Sequence, residues 1–137
     1  MGKALGIDYG TKRTGIAITD PEKKIAFGLT TVATSLIYDF IADLFLKYDI
    51  DFFVVGYPIN LDGKVTDNTL HVKNFITNLK EKYPKITIHT VDERLTSKIA
   101  KKAILVSGVK KTKRRNKALV DEVSATIILQ NFLDYRA

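Results

Sequence analysis

From Lys3 to Tyr9 the chain alternates, with Leu5 and Ile7 pointing one way and Ala4, Gly6 and Asp8 the other. That period of two predicts a strand. Gly10–Arg13 reads as a turn, and Thr14–Thr19 as a second strand ended by Asp20-Pro21, so the two form a hairpin. Ile25–Ala33 reads as a third strand. Ser35 is placed to cap a helix carrying Leu36, Ile37, Phe40, Ile41, Leu44, Phe45 and Tyr48 at helical spacing. Asp51–Gly56 is a continuous apolar run, which predicts a strand buried on both faces and paired in parallel. After a loop at Tyr57–Val65, Asp67 or Asn68 starts a second helix with Val72, Phe75, Ile76 and Leu79, and Pro84 stops it. Ile86–Val91 is a short strand. Thr96 caps a helix through Ile104, Gly108 lies past its end, and Leu119–Leu133 is a last helix. The order β-β-β-α-β-α-β-α-α predicts an α/β fold with a mixed sheet and helices on both faces.

The 137 residues suit one domain, and their 45% hydrophobic and 27% charged composition is that of a globular chain. The absence of cysteine excludes disulfides, thiolate zinc sites, iron–sulfur clusters and thiol nucleophiles. Only His71 and His89 are present, so a metal here would be held by oxygen, which favours Mg²⁺ or Mn²⁺. No secretory leader and no long apolar run is found, which points to the cytoplasm and away from membranes.

Net charge is +7, but it is unevenly placed. Residues 94–117 hold Arg94, Lys98, Lys101, Lys102, Lys110, Lys111, Lys113, Arg114, Arg115 and Lys117, with no acid among them. The remainder has twelve basic residues against 15 acidic ones, so a slightly acidic body carries one strongly basic segment. Such a segment suits contact with a phosphate backbone. Lys110–Lys117, with little apolar content, is expected to be poorly ordered without nucleic acid.

Three sets of acids stand out. Asp8 sits on a strand among small apolar residues, where an unpaired carboxylate costs several kcal/mol; it either bonds the following turn or binds a metal. Asp92 and Glu93 follow a strand, where open α/β sheets place ligands, and alternation puts them on opposite faces. Spacing alone leaves open which of them serves. Asp121 shares a helix face with Ser124, Ala125 and Ile128, small residues that suit close docking on the sheet and could bring Asp121 toward Asp8. Acids gathered at one sheet edge would form an oxygen-only site for two divalent cations, of the kind that supports phosphodiester hydrolysis. The glycine loop Gly10–Gly15 has the first spacing of a P-loop, but Ile16-Ala17 follows it instead of Lys-Ser/Thr. Asp8–Thr11 is also similar to the phosphate hairpin of sugar kinases and actin-like ATPases, which need two lobes where this length supplies one.

Four motifs occur in order: Gly6-Ile-Asp8-Tyr-Gly10-Thr-Lys-Arg13-Thr-Gly15-Ile-Ala17, Val55-Gly56-Tyr-Pro58 with Asp62-Gly63, Asp92-Glu93-Arg94-Leu-Thr96, and Asp121 with Ser124-Ala125 and Ile128-Leu129. Together they resemble the YqgF family over nearly the whole chain. That is an RNase H-like family first labelled as candidate Holliday junction resolvases and now described as the nuclease maturing the 5′ end of pre-16S rRNA. The resemblance implies a three-layer α/β/α fold with a five-stranded mixed sheet, forming a single nuclease domain over 1–137. It implies Asp8, Glu93 and Asp121 as metal-binding catalytic acids for Mg²⁺ or Mn²⁺. Arg94 belongs to the same motif as Glu93, and Lys12 and Arg13 match the family's basic pair. With Lys98, Lys101, Lys110, Lys111, Lys113, Arg114, Arg115 and Lys117, these basic residues are expected to hold nucleic acid. Tyr57, Ser97 and Ser124 depart from the usual family residues, and none of these changes removes an acid. The expected activity is metal-dependent endonuclease action on pre-rRNA. The alternatives are a junction resolvase acting on DNA, which would work as a homodimer, and a non-catalytic nucleic-acid-binding scaffold.

Overall fold

The computed structural model describes residues 2–57, 67–92 and 117–136. Its elements are β1 (Lys3–Asp8), β2 (Arg13–Thr19), β3 (Ala26–Ala33), a 3-10 turn (Thr34–Leu36), α1 (Ile37–Lys47), β4 (Ile50–Tyr57), α2 (Asp67–Lys82), β5 (Thr87–Asp92) and α3 (Lys117–Arg136). The five strands form one sheet in the order β3-β2-β1-β4-β5. The β1–β2 and β2–β3 pairs are antiparallel, and β1–β4 and β4–β5 are parallel. The mixed sheet expected from the chain order is therefore present. The helix expected after Thr96, residues 58–65 of the expected Tyr57–Val65 loop and the basic run through residue 116 lie outside the described residues, while Tyr57 itself ends β4.

Each strand's alternation assigns it to two cores. Leu5, Ile7, Ile16, Phe53 and Val55 face α1 and α2, where they meet Ile37, Ile41, Val72, Phe75 and Leu79. Ala4, Ala17, Phe52 and Val54 face α3, where they meet Ala125, Ile128, Leu129 and Leu133. β4 is buried on both faces from Phe52 to Gly56, as its unbroken apolar run requires. The three layers are thus α1 and α2, the sheet, and α3.

One sequence expectation changes. Ser35 does not cap α1, which makes no side-chain cap bond and is entered through the 3-10 turn. Thr34 does the local work instead. Its amide donates to the Lys12 carbonyl at 3.1 Å and its hydroxyl to the Gly10 carbonyl at 2.5 Å. Because that hydroxyl proton is engaged, Thr34 accepts from the buried Thr14 hydroxyl at 2.9 Å. The β1–β2 turn is therefore pinned to the start of α1.

At the opposite edge of the sheet, Lys23 takes a left-handed conformation with φ 57°. Its ammonium lies 2.6 Å from Asp51, which also accepts from the Gly2 amide at 3.2 Å. The Lys23 hydrogen bond outweighs desolvation and, with the Lys23 charge and the Gly2 amide, holds the Asp51 carboxyl below its ordinary range. A carboxyl lowered on folding stabilises above its unfolded pKa, and that contribution is lost as pH falls through the folded value. Asp51→Asn should therefore lower stability at pH 7, read from the urea midpoint, by a small amount, under about 1 kcal/mol because the carboxylate is exposed to solvent. The gap from wild type should close below about pH 4, and a constant gap down to acid pH would refute the ionic origin.

Candidate active site

β1, β4 and β5 run parallel, so Asp8, Tyr57 and Asp92 end along one edge of the sheet, and antiparallel β2 enters that edge at Arg13. Carboxyl ends of parallel strands are where α/β sheets bind ligands. Asp8 is half-buried, and its alternation with Gly6 and Ala4 puts it on the α3 face.

Glycine brings the second acid to the same place. Gly15 is the cross-strand partner of Asp8. A Cβ on Gly15 would run into the backbone carbonyl of Asp121. One strand over, a Cβ on Gly6 would stand 2.8 Å from the Ala125 carbonyl and 2.7 Å from the Leu129 Cβ. The helix backbone thus lies directly on β1 and β2, which only missing side chains allow. Asp121 and Asp8, from opposite ends of the chain, become neighbours on one face. This is the docking that the small residues Ser124 and Ala125 predict.

The Asp121 carboxylate is held by Arg13, whose Nε lies 2.7 Å from Oδ2, with the two side chains 37% and 23% exposed. A charge-assisted bond of this length is among the stronger polar contacts. Ser124 is 1% exposed, and its Oγ has no hydrogen-bond partner. At 100° per residue, Ser124 falls on the flank of α3 away from Glu122. Because Glu122 lies over Gly28 of β3, that flank is the one facing β1 and β4. A buried hydroxyl without a partner is rare, and this one, one helical turn after Asp121 on the side facing β1, suits a site completed by a hydrated ion. The donors are all oxygen, so the residues fit Mg²⁺ or Mn²⁺.

Asp92 does not join them. It is exposed, and it pairs with Tyr57 on the α1/α2 face, as Ile88 does, whereas His89 and Val91 face α3. Glu93 lies outside the described residues, and among those described no group of three or more His, Cys, Asp or Glu side chains comes together. His89, half-buried, packs against Phe52 and Phe132 with centroids 5.2 and 4.5 Å away, on the α3 side of the sheet. Lys12 is exposed in the pinned turn. Arg94, Lys98, Lys101, Lys110, Lys111, Lys113, Arg114 and Arg115 lie outside the described residues; Lys117 opens α3, and its side chain is likewise outside them.

A family model described as "RuvX: Holliday junction resolvase" matches residues 2–135. The chain belongs to the RuvX family. This is the YqgF family that the four motifs resemble. A relative from Porphyromonas gingivalis, named "Putative pre-16S rRNA nuclease", is 48% identical over 98% of this chain and 97% of its own length. One of the same name from Christiangramia forsetii is 46% identical over 97% of this chain and 98% of its own length. Among solved structures, "T. thermophilus RuvC in complex with Holliday junction substrate" superposes with a TM-score of 0.61 over 98% of this chain and 94% of that one. At 15% identity that likeness concerns the fold, which is the RNase H-like α/β/α arrangement expected from the motifs.

The Arg13–Asp121 bond is not legible in the sequence. Local pattern assigns Arg13 to the basic pair after Gly10, and nothing local links it to a helix at the other end of the chain. The available signal is Gly15, two residues after Arg13 and on the same strand face, marking where a helix backbone arrives.

Proposed function

We propose that this chain is a cytoplasmic, metal-dependent endonuclease that hydrolyses phosphodiester bonds in the 5′ maturation of pre-16S rRNA, with residues 1–137 as one nuclease domain. The observation carrying this reading is the convergence of Asp8 and Asp121 on one sheet face through α3 docked on Gly15. The names of the full-length relatives support the rRNA substrate. No described helix is long and apolar enough to cross a membrane.

Asp8, Asp121 and Glu93 would hold Mg²⁺ or Mn²⁺. The position of Asp92 on the opposite face favours Glu93 for the third place. Bound there, the divalent ions supply activation of water and stabilisation of the leaving 3′ oxygen. Of the chain's own groups, Asp8 and Asp121 fix where positive charge collects, and the α3 backbone on β2 sets their separation. Lys12, Arg13, Arg94 and the basic residues of 98–117 draw in and hold the nucleic acid backbone, a contact that positions either polymer without reading sequence.

The family description favours a second reading, resolution of DNA junctions, which calls for a symmetric dimer cutting two strands. The test sets a pre-16S 5′ leader beside a four-way DNA junction, with Mg²⁺ and an Asp8→Asn control. Cleavage of the leader alone, lost in the control, is the expected result. Cleavage of the junction alone by a dimer would replace it with the resolvase reading. Tight RNA binding with no cleavage, and no Mg²⁺ or Mn²⁺ bound by calorimetry, would leave a binding scaffold instead.

A further inference from the structure

We propose that Arg13 is a built-in counter-ion that keeps the metal site weak until nucleic acid arrives, so that metal and substrate bind cooperatively. The inference rests on the reading of Asp121 as a metal ligand.

The guanidinium sits 2.7 Å from Oδ2 of Asp121, on a carboxylate that a divalent ion would use. Both side chains keep contact with solvent, at 37% and 23% exposure, so neither is locked into a dry core. The backbone under Arg13 is rigid, because Thr14, its neighbour, is buried and tied through Thr34 to Gly10. Motion is therefore confined to the long arginine side chain. That side chain has two competing partners: the Asp121 carboxylate, and a phosphate approaching the exposed Lys12 in the same turn.

The two partners are linked by charge. Even with the dielectric of water, a unit positive charge about 5 Å from a divalent ion lowers that ion's affinity roughly tenfold. While Arg13 is on Asp121, the site repels a cation. When a phosphate takes the guanidinium, its negative charge cancels that repulsion and Asp121 turns to the metal. Linkage then requires the metal to tighten nucleic acid by the same factor. Arg13 acts here as a positioning residue, and an arginine suits it because it matches carboxylate and phosphate equally well.

The test measures Mn²⁺ binding by paramagnetic resonance of unbound Mn²⁺, in wild type, Arg13→Gln, Arg13→Lys and Asp121→Asn, each checked for folding by circular dichroism. Without nucleic acid, Arg13→Gln should bind Mn²⁺ about tenfold tighter than wild type, while Arg13→Lys, which keeps the charge, stays near wild type. A short 2′-O-methyl oligonucleotide, with its own Mn²⁺ binding subtracted, should tighten Mn²⁺ on wild type and have much less effect on Arg13→Gln. Equal or weaker Mn²⁺ binding by Arg13→Gln, with Asp121→Asn weaker than wild type, would overturn the inference and leave the metal site standing. Unchanged binding in Asp121→Asn would remove the metal-site reading and the inference together.

Discussion

Asp8→Asn is expected to fold and to lose nuclease activity by about three orders of magnitude, the loss of roughly 4 kcal/mol of transition-state stabilisation. Asparagine keeps the shape of aspartate, and the strand around it is held by Leu5 and Ile7, both fully buried, and by pairing with β2 and β4. The substitution removes only the negative charge and one anionic oxygen, the two properties a hard cation requires. Single-turnover cleavage with saturating Mg²⁺, beside a thermal melt, separates the effects. A folded variant that cuts at the wild-type rate would show that Asp8 is not in the site.

Gly15→Ala carries the next largest effect, and it acts on stability and activity together. The added methyl group has nowhere to go, because the Asp121 carbonyl occupies its place and belongs to a helix backbone. α3 must lift, loosening Ala125, Ile128 and Leu129 from Ala4, Ala17 and Val54. Overpacking of this kind costs about 1–3 kcal/mol. The displacement also carries Asp121 away from Asp8, and a shift of about 1 Å at a catalytic centre costs roughly 100-fold in rate. Gly28→Ala is the matched control. Its Cβ would meet the Glu122 side chain, 2.6 Å from Oε1 and 3.0 Å from Cγ, and a side chain can turn aside where a helix backbone cannot. The urea midpoint and single-turnover rate should both fall for Gly15→Ala and stay near wild type for Gly28→Ala. Equal behaviour of the two would show that the helix does not rest on β2 as tightly as the backbone contact implies.

The Asp8, Asp121 and Glu93 expectations show where local pattern is informative. Period-two spacing put Asp8 on the face of Gly6 and Ala4, and that face is the one α3 covers. Helical spacing put Asp121 on the face of Ser124, Ala125 and Ile128, and the last three are buried against the sheet. Between Asp92 and Glu93 the local pattern had no preference, because alternation separates neighbours without saying which face matters, and only the family resemblance pointed to Glu93. Parallel pairing of β4 with β5 supplies that information for Asp92, whose partner Tyr57 packs on the α1/α2 side. The Ser35 cap failed for a related reason. A cap residue is favoured by its own hydroxyl, but the path of the chain was set by Thr34, bonded across to Gly10 and Lys12 of a different turn.

By itself the sequence determined the strands and the helices of the described residues, which side of each is apolar, and the separation of a basic segment from an acidic body. Those properties follow from residue type and short-range period, which the chain carries wherever it goes. Only the tertiary structure decided that Asp121 lies over the partner of Asp8, that Arg13 holds its carboxylate, and that the Ser124 hydroxyl is buried without a partner. These are contacts between segments far apart in the chain. They depend on how closely a helix can approach a sheet, and a pair of glycines settles that only once the strands are side by side.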